Sequence, residues 1–439
     1  SRRCDAMNPV MKTLLRAVMI SRWFMALTFP VLSLKVNATK RTVDVLWERT
    51  AGMGVAMFVL SLLWMWYFHH KEHGNDGSGP FASVTAGIGR SWDALSGRLD
   101  TLSRRKGVVG LSLGALLAAA VLLPILGSMY QTTIFANAFL YVMLALGLNI
   151  AVGIAGQLVL GYAAFYAIGA YTYGLLNQYF GLGFWVCLPL GGCFAALAGL
   201  LLGFPVLRLQ GDYLAIVTLG FGEIVRLLLN NWVGITGGSQ GVANIPRPSL
   251  FGLELSPDQS MAYIYYLTLA AMVVTIVVVA RIKDSRVGLA LRALRDDEIA
   301  SEAMGIDLRM VKLQAFALGS CWAGFAGVLL AARINFISPP SFTFMDSAMI
   351  LSMVVLGGMG SISGVVVAAL VLTLAPEYLR ALSGYRMLVF GALMVLMMIF
   401  RPQGLIPSRK RTYRPRGVQA GKPGEGADAA AASAQGGRA

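Results

Sequence analysis

The chain has 439 residues, of which 57% are hydrophobic and 13% are charged, and its formal net charge is +15. Soluble globular domains carry about 25% charged residues, so this composition excludes an ordinary soluble domain and indicates a polytopic membrane protein. The basic residues lie between apolar runs and at the chain ends, where they act as topology signals. No basic and aromatic module typical of nucleic-acid binding is visible, and we expect no nucleic-acid partner.

Residues 1–106 are predicted to form an N-terminal extension with two membrane spans, Thr13–Leu34 and Ala51–Phe68, followed by a loop. The loop is rich in Lys and Arg, which places it in the cytoplasm. His69 and His73 share one helix face in this loop. They lack the further ligands of a metal motif, so we expect no metal site.

Residues 107–405 are predicted to form the membrane-embedded core. Its first part, Gly107–Leu207, contains no Asp, Glu, Lys or Arg. A helix needs roughly 20 apolar residues to cross the ~30 Å hydrocarbon layer. On this basis the predicted spans are Gly107–Met129, Thr133–Val152, Leu158–Leu176 and Phe184–Val206.

Glycines punctuate the stretch NIAVGIAGQLVLGYAAFYAIGAYTYG, which is Asn149–Gly174. Non-helical backbone at membrane depth is tolerated only where it packs in protein or lines a cavity. The stretch is therefore either the wall of a translocation path or a region of close helix packing through small residues. For the first interpretation the candidate path residues are Asn149, Gly153, Gly156, Gly161, Tyr162 and Tyr166.

The next predicted span, Tyr213–Val233, carries Glu223 and Arg226. At a rise of 1.5 Å per residue from Asp212, Glu223 lies roughly 16 Å inside the membrane. Ionisable residues at such depth are costly and face a cavity or a partner. The pair is either a polar station on the path or an internal ion pair that fixes helix packing.

A charged segment, Arg281–Lys312, follows the uncharged span Met261–Ala280. Within it, residues 286–306 are predicted to form one short amphipathic helix with a charged face and an apolar stripe. Nothing soluble in the chain is available to cover that stripe, so a partner protein is expected there. By counting crossings, this helix faces the cytoplasm.

After the span Leu313–Ala332, the uncharged run Ser347–Pro376 is broken by GGMGSISG. The run is either two short spans or a re-entrant pair, and Gly357 and Gly358 join the candidate path residues. A last span, Met387–Phe400, precedes a Gly- and Ala-rich tail, 406–439, that is expected to be disordered. The predicted fold is all-α: a polytopic membrane helical bundle of about 10–12 segments with broken or re-entrant helices.

Long stretches of this core resemble the LivM-type permease subunits of high-affinity branched-chain amino acid ABC transporters. They include YVMLALGLNIAVGIAGQLVLGYAAFYAIGAY, GFPVLRLQGDYLAIVTLGFGEIVR and SFTFMDSAMILSMVVLGGMGS. The resemblance implies a multi-pass protein of the bacterial inner membrane with both termini in the cytoplasm, surrounded by membrane lipid. It also implies a LivH-type permease partner, two cytosolic ATPase subunits that bind the ATP, and a periplasmic substrate-binding protein. No cofactor of its own is expected.

The same resemblance places the ATPase-coupling helix at Gly288–Ile306. The residues that match its pattern are Arg292, Ala293, Asp297, Glu298, Ala300, Gly305 and Ile306. The implied function is a non-enzymatic subunit that forms the path for leucine, isoleucine and valine. Two alternatives stay open: a urea or short-chain amide ABC permease, and an ion-coupled secondary transporter that uses Glu223 and Arg226.

Overall fold

The computed structural model of the chain describes residues 34–37, 42–45, 118, 120–124, 128–207, 209, 211–248, 257–378, 391 and 404–405. The chain divides into two compact units, Ser1–Leu117 and Ala118–Ala439. The predicted spans Thr13–Leu34, Ala51–Phe68 and Met387–Phe400 lie outside the described residues, apart from Leu34 and Gly391. The same holds for the predicted tail 406–439.

The described part of the first unit is a short antiparallel hairpin. Strand β1 (Leu34–Asn37) pairs with β2 (Thr42–Val45), with Leu34 opposite Val45 and Asn37 opposite Thr42. Both strands are rich in β-branched and other apolar residues, which favour extended backbone. This short hairpin is a local addition to a chain whose fold class is all-α, as predicted.

The second unit is a helical bundle, which confirms the predicted architecture of the core. Its α-helices are α1 (Met129–Leu148), α2 (Tyr162–Phe180), α3 (Phe184–Val206), α4 (Asp212–Asn231), α5 (Val233–Thr236), α6 (Pro257–Asp284), α7 (Arg286–Asp296), α8 (Glu298–Ala303), α9 (Leu308–Ile334), α10 (Phe344–Gly357) and α11 (Ile362–Tyr378). A π-helical turn, Asn149–Ile154, continues α1, and 3-10 turns occupy Gly238–Gln240 and Pro339–Ser341.

Five stretches of the described residues are long and apolar enough to cross a membrane: Met129–Ile154, Phe184–Val206, Gln259–Asp284, Leu308–Ile334 and Pro339–Gly357. Ile362–Glu377 is a shorter apolar helix. Each covers or overlaps a span expected from the apolar runs. The chain is thus a multi-pass membrane protein, and the total of 10–12 segments stays a prediction.

Helix α9 packs between α2 and α3 through glycines, because their backbones approach too closely for side chains. A Cβ added at Gly169 of α2 would lie 2.2 Å from the carbonyl oxygen of Gly324 in α9. A Cβ added at Gly324 would lie 2.4 Å from the carbonyl oxygen of Gly191 in α3. Close packing through small residues, one of the two interpretations of this region, is therefore confirmed at Gly169.

Two interruptions break the bundle. Helix α2 begins at Tyr162 and not at Leu158 as predicted, because residues 155–161 are non-helical and Gly156 has a φ of +76°. The second interruption separates α10 from α11 between Gly357 and Ile362, where Gly358 and Gly360 have φ angles of +102° and +80°. The uncharged run is therefore two helices joined by a glycine turn.

Candidate functional site

A small, partly open groove lies at the start of α2, between α4 and the residues that lead into α10. Its wall exposes polar and apolar surface in about equal parts, and its polar side chains belong to Glu223, Thr343 and Ser347. The remaining lining residues are Leu160, Gly161, Ala163, Ala164, Leu219, Gly222, Phe342 and Phe344. Small-molecule sites are usually clefts of about 300–1,000 Å³ with a few placed polar groups; this groove has the polar groups but is smaller.

Side-chain hydroxyls hold the start of α2 in place. The Leu160 N–H donates to Thr218 Oγ1 at 3.0 Å, and the Ala163 N–H donates to Ser347 Oγ at 2.8 Å. These bonds satisfy backbone donors that the interrupted helix leaves unpaired. Gly161 has no room for a side chain, since its Cβ would lie 1.9 Å from the Thr218 carbonyl oxygen.

Glu223 and Arg226 form an ion pair along α4, with Arg226 Nη2 2.8 Å and Nε 2.9 Å from Glu223 Oε2. The Glu223 side chain is 36% exposed, and it lines the groove. The pair is internal to α4 and the carboxylate remains accessible, and the role of Glu223 and Arg226 on a path stays a prediction. Arg226 orients the carboxylate from one turn further along the helix.

The other predicted path residues on α1 and α2 lie in the core and not on the groove. Tyr162 is 1% exposed, and its hydroxyl donates to the Gly319 carbonyl oxygen of α9 at 2.8 Å. Tyr166 is buried with its ring edge-on to Phe342, at a centroid distance of 5.3 Å. Tyr162 thus fixes α2 against α9, and Tyr166 packs against Phe342, which lines the groove.

The two interruptions meet at one point, which we call the glycine joint: the contact of Asn149 and Gly153 with the α10–α11 turn at Gly360. The Gly360 N–H donates to Asn149 Oδ1 at 2.9 Å, and Asn149 is fully buried. A Cβ at Gly153 would lie 1.8 Å from that same oxygen and 2.5 Å from the Gly360 nitrogen. The predicted path residues Asn149 and Gly153 therefore hold the two interruptions together.

Gly357 and Gly358 lie in the packed turn beside the joint. A Cβ on Gly357 would lie 2.6 Å from Val365 Cα, and one on Gly404 would lie 2.4 Å from Gly358 Cα. The Leu405 N–H donates to the Leu356 carbonyl oxygen at 2.8 Å. Gly404 and Leu405, which come much later in the sequence, therefore pack against this turn.

Residues 286–306 form two helices, and the prediction of one continuous helix is wrong. Asp297 has an extended backbone, with φ −161° and ψ 118°, and its Oδ1 accepts from the Ala300 N–H at 3.0 Å. A side chain that caps a new helix in this way ends the preceding one. We call the segment Lys283–Met310, which holds α7 and α8, the charged end of the bundle.

The residues matched to the coupling pattern make mostly internal contacts at the charged end. Arg292 donates to the Lys283 carbonyl oxygen at 2.9 Å, and Glu298 pairs with Lys312 at 2.9 Å. The Ala293 carbonyl oxygen accepts from the Asp297 N–H at 3.0 Å, which closes α7. Gly305 has a φ of +82° with open space around it, and Ile306 N–H donates to the Ser301 carbonyl oxygen at 3.1 Å.

The apolar stripe of this segment is partly covered by the chain itself, which corrects the expectation that a partner must cover all of it. Leu291 is 0% and Leu294 3% exposed. Ile299 and Met304 are instead 82% exposed. Ile299 was missed in the sequence because the helix phase changes at Asp297.

Arg295 was also missed as a site residue. Its Nη1 donates to the Gly153 carbonyl oxygen of the glycine joint. No local signal in the sequence points to this contact, because the partners are 142 positions apart. Within the part of the chain that the structure describes, no group of three or more His, Cys, Asp or Glu is placed to hold a metal ion.

Residues 130–398 match the family described as "Branched-chain amino acid transport system / permease component". The high-affinity branched-chain amino acid transport system permease protein LivM of Escherichia coli K12 is 51% identical over 317 residues, covering 68% of this chain and 75% of that protein. LivM of Salmonella typhimurium LT2 is 49% identical over 330 residues, covering 71% and 78%. LivH of Escherichia coli K12 is 27% identical over 286 residues, covering 61% and 91%. No solved structure matches the chain.

Proposed function

This chain belongs to the branched-chain amino acid transport permease family, and we propose that it forms the translocation path of an ATP-driven importer of leucine, isoleucine and valine. The observation that carries the proposal is the 51% identity to LivM over most of both chains. The membrane-crossing helices of the second unit suit that role. Neither a urea permease nor an ion-coupled transporter is favoured by these relatives.

The groove has the chemistry that a branched-chain amino acid needs. Leu160, Leu219 and Phe344 offer an apolar wall to the alkyl side chain. The Glu223 carboxylate offers an ion-pair partner to the α-ammonium group. The start of α2 carries the positive end of a helix dipole, which favours the α-carboxylate. Urea is small and neutral, so it would form no ion pair with Glu223 and would not cover the apolar wall.

The energy would come from partner subunits that bind ATP. We place the charged end of the bundle in the cytoplasm, where two ATPase subunits would dock on Ile299, Met304 and the loop at Gly305. A LivH-type permease would complete the membrane unit, and a periplasmic binding protein would deliver the amino acid. On this view the bundle lies in the bacterial inner membrane with both termini in the cytoplasm, and it needs no cofactor of its own.

Uptake into a strain that lacks its own branched-chain amino acid importers tests the proposal. The genes for this chain and its partners are expressed, and labelled leucine and labelled urea are compared. We expect leucine uptake that stops on ATP depletion and continues when the proton gradient is collapsed. Uptake of urea but not leucine would establish the amide permease, and the opposite energy dependence would establish the ion-coupled transporter.

Glu223→Gln is expected to lower leucine uptake about tenfold, because the neutral amide no longer attracts the ammonium group of the amino acid. Folded yield should change little, since the ion pair is partly exposed and the amide oxygen still accepts from Arg226. Initial uptake rates and the amount of purified transporter check both parts. Asp212→Asn, at the start of the same helix, is the control for charge removal outside the groove. Normal leucine uptake by the Glu223→Gln variant would show that the path does not pass Glu223.

A further inference from the structure

We propose that Arg295 is the positioning residue that transmits movement of the charged end to both interruptions of the bundle. The inference rests on the proposed function, because it names how docked ATPase subunits would act on the path. Arg295 is the next-to-last residue of α7, and α8 begins only three residues later. It therefore lies between the proposed docking segment and the glycine joint.

The Arg295 side chain reaches into the first interruption. Its Nη1 donates to the Gly153 carbonyl oxygen in the π-helical turn. Its aliphatic part lies against Gly156, where an added Cβ would be 2.9 Å from Arg295 Cγ. Gly156 has a φ of +76°, a conformation that glycine adopts at low cost. Arg295 thus contacts both the π-helical turn and the non-helical backbone that follows it.

The same guanidinium group lies beside the second interruption. A Cβ at Gly360 would be 3.4 Å from Arg295 Nη1. The Lys283 Nζ donates to the Gly360 carbonyl oxygen at 2.6 Å, and the Gly360 N–H donates to Asn149 at 2.9 Å. Lys283 at the end of α6 and Arg295 at the end of α7 therefore hold carbonyl groups of two segments that are far apart in sequence.

This arrangement suits the transmission of movement for two reasons. Its hydrogen bonds come from charged donors, and Arg295 is accessible at the surface of the chain. Hydrogen bonds from a charged donor are about twice as strong as neutral ones. Arg292 fixes the α6–α7 corner by donating to the Lys283 carbonyl oxygen at 2.9 Å, so α7 and Lys283 are tied together. Arg295 itself remains among the exposed residues. A displacement of α7 would pull on Gly153 directly.

The test separates ATP hydrolysis from uptake in the complete transporter reconstituted in liposomes. For Arg295→Ala we expect the ATPase subunits to co-purify normally and hydrolysis to continue, while leucine imported per ATP hydrolysed falls at least tenfold. Arg295→Lys keeps a charged donor and should recover part of that ratio. Arg309→Ala removes an exposed cation of the same end, from the first turn of α9, and should leave the ratio unchanged.

An unchanged ratio in Arg295→Ala would overturn the inference. Loss of the ATPase subunits from that variant would overturn it too, because Arg295 would then serve docking. If Arg295→Ala does not fold, a partly lowered ratio in Arg295→Lys at normal thermal stability supports the contact, and a ratio equal to that of the unmodified transporter overturns it. Absence of leucine uptake by the unmodified transporter would instead refute the proposed function.

Discussion

Replacing Gly169 by alanine is expected to destabilise the bundle by about 1–3 kcal/mol or more. The new Cβ would lie 2.2 Å from the carbonyl oxygen and 2.5 Å from the Cα of Gly324. Both are backbone atoms of α9, so no flexible side chain can move aside, and α2 and α9 would have to separate. Thermal unfolding of the purified chain in detergent measures the loss, and a lower yield of monodisperse protein should accompany it.

Gly220→Ala is the matched control. Gly220 also lies inside a helix, α4, but an added Cβ there meets nothing within 4 Å. Alanine is the better helix former by up to about 1 kcal/mol, so this variant should be neutral or slightly stabilised. Because both substitutions bring the same helical preference, their difference isolates the contact with Gly324. Equal unfolding temperatures would contradict the close approach of α2 and α9.

Ile299→Glu is expected to weaken binding of the ATPase subunits at least about 30-fold, the effect of losing an interface hot spot of about 2 kcal/mol. Ile299 is 82% exposed at the charged end, so a carboxylate there costs the fold of this chain little. The same carboxylate would be buried against a partner surface, where it lacks a compensating charge. Co-purification of the ATPase subunits at increasing salt and dilution measures the loss, and leucine uptake should fall in parallel.

Ile299→Leu is the conservative counterpart, since it keeps an apolar side chain of equal volume. It should retain the ATPase subunits and uptake within about twofold, because isosteric apolar exchanges cost under 1.5 kcal/mol. A Glu variant that binds the ATPase subunits as firmly as the Leu variant would show that the docking surface lies elsewhere on the charged end.

The long apolar helices were predictable because their length and composition are set by the membrane. The span Phe184–Val206 was predicted with the bounds that α3 has. Leu313–Ala332 fell inside α9, which begins earlier because Asp307 accepts from the Arg309 N–H at 3.0 Å and caps the first turn. Capping residues sit in polar linkers, where hydropathy gives no signal.

The interruptions were predictable in place but not in form. Glycine clusters marked both regions, yet the start of α2 at Tyr162 depends on Thr218 and Ser347, whose hydroxyls take up backbone N–H groups from neighbouring helices. Hydropathy alone extended that helix to Leu158. Which side chain accepts from a given backbone N–H group depends on the tertiary fold, and the pattern of a single sequence does not reveal it.

The contacts of the charged end were the least predictable part of the candidate site. Arg295 and Glu298 stand three positions apart, yet the structure pairs Arg295 with Gly153 and Glu298 with Lys312. Neighbours at i,i+3 or i,i+4 contribute only a few tenths of a kcal/mol. Longer-range partners that hold a charged group in a better geometry therefore override them.

The ion pair of Glu223 and Arg226 has an electrical consequence. A membrane potential of 100 mV does about 2.3 kcal/mol of work on each elementary charge that crosses the bilayer. The pair carries no net charge, and neither does a zwitterion that passes beside it. The voltage therefore does no net work on such a solute, and uptake through this groove should proceed at the same rate in polarised and depolarised cells that hold equal ATP.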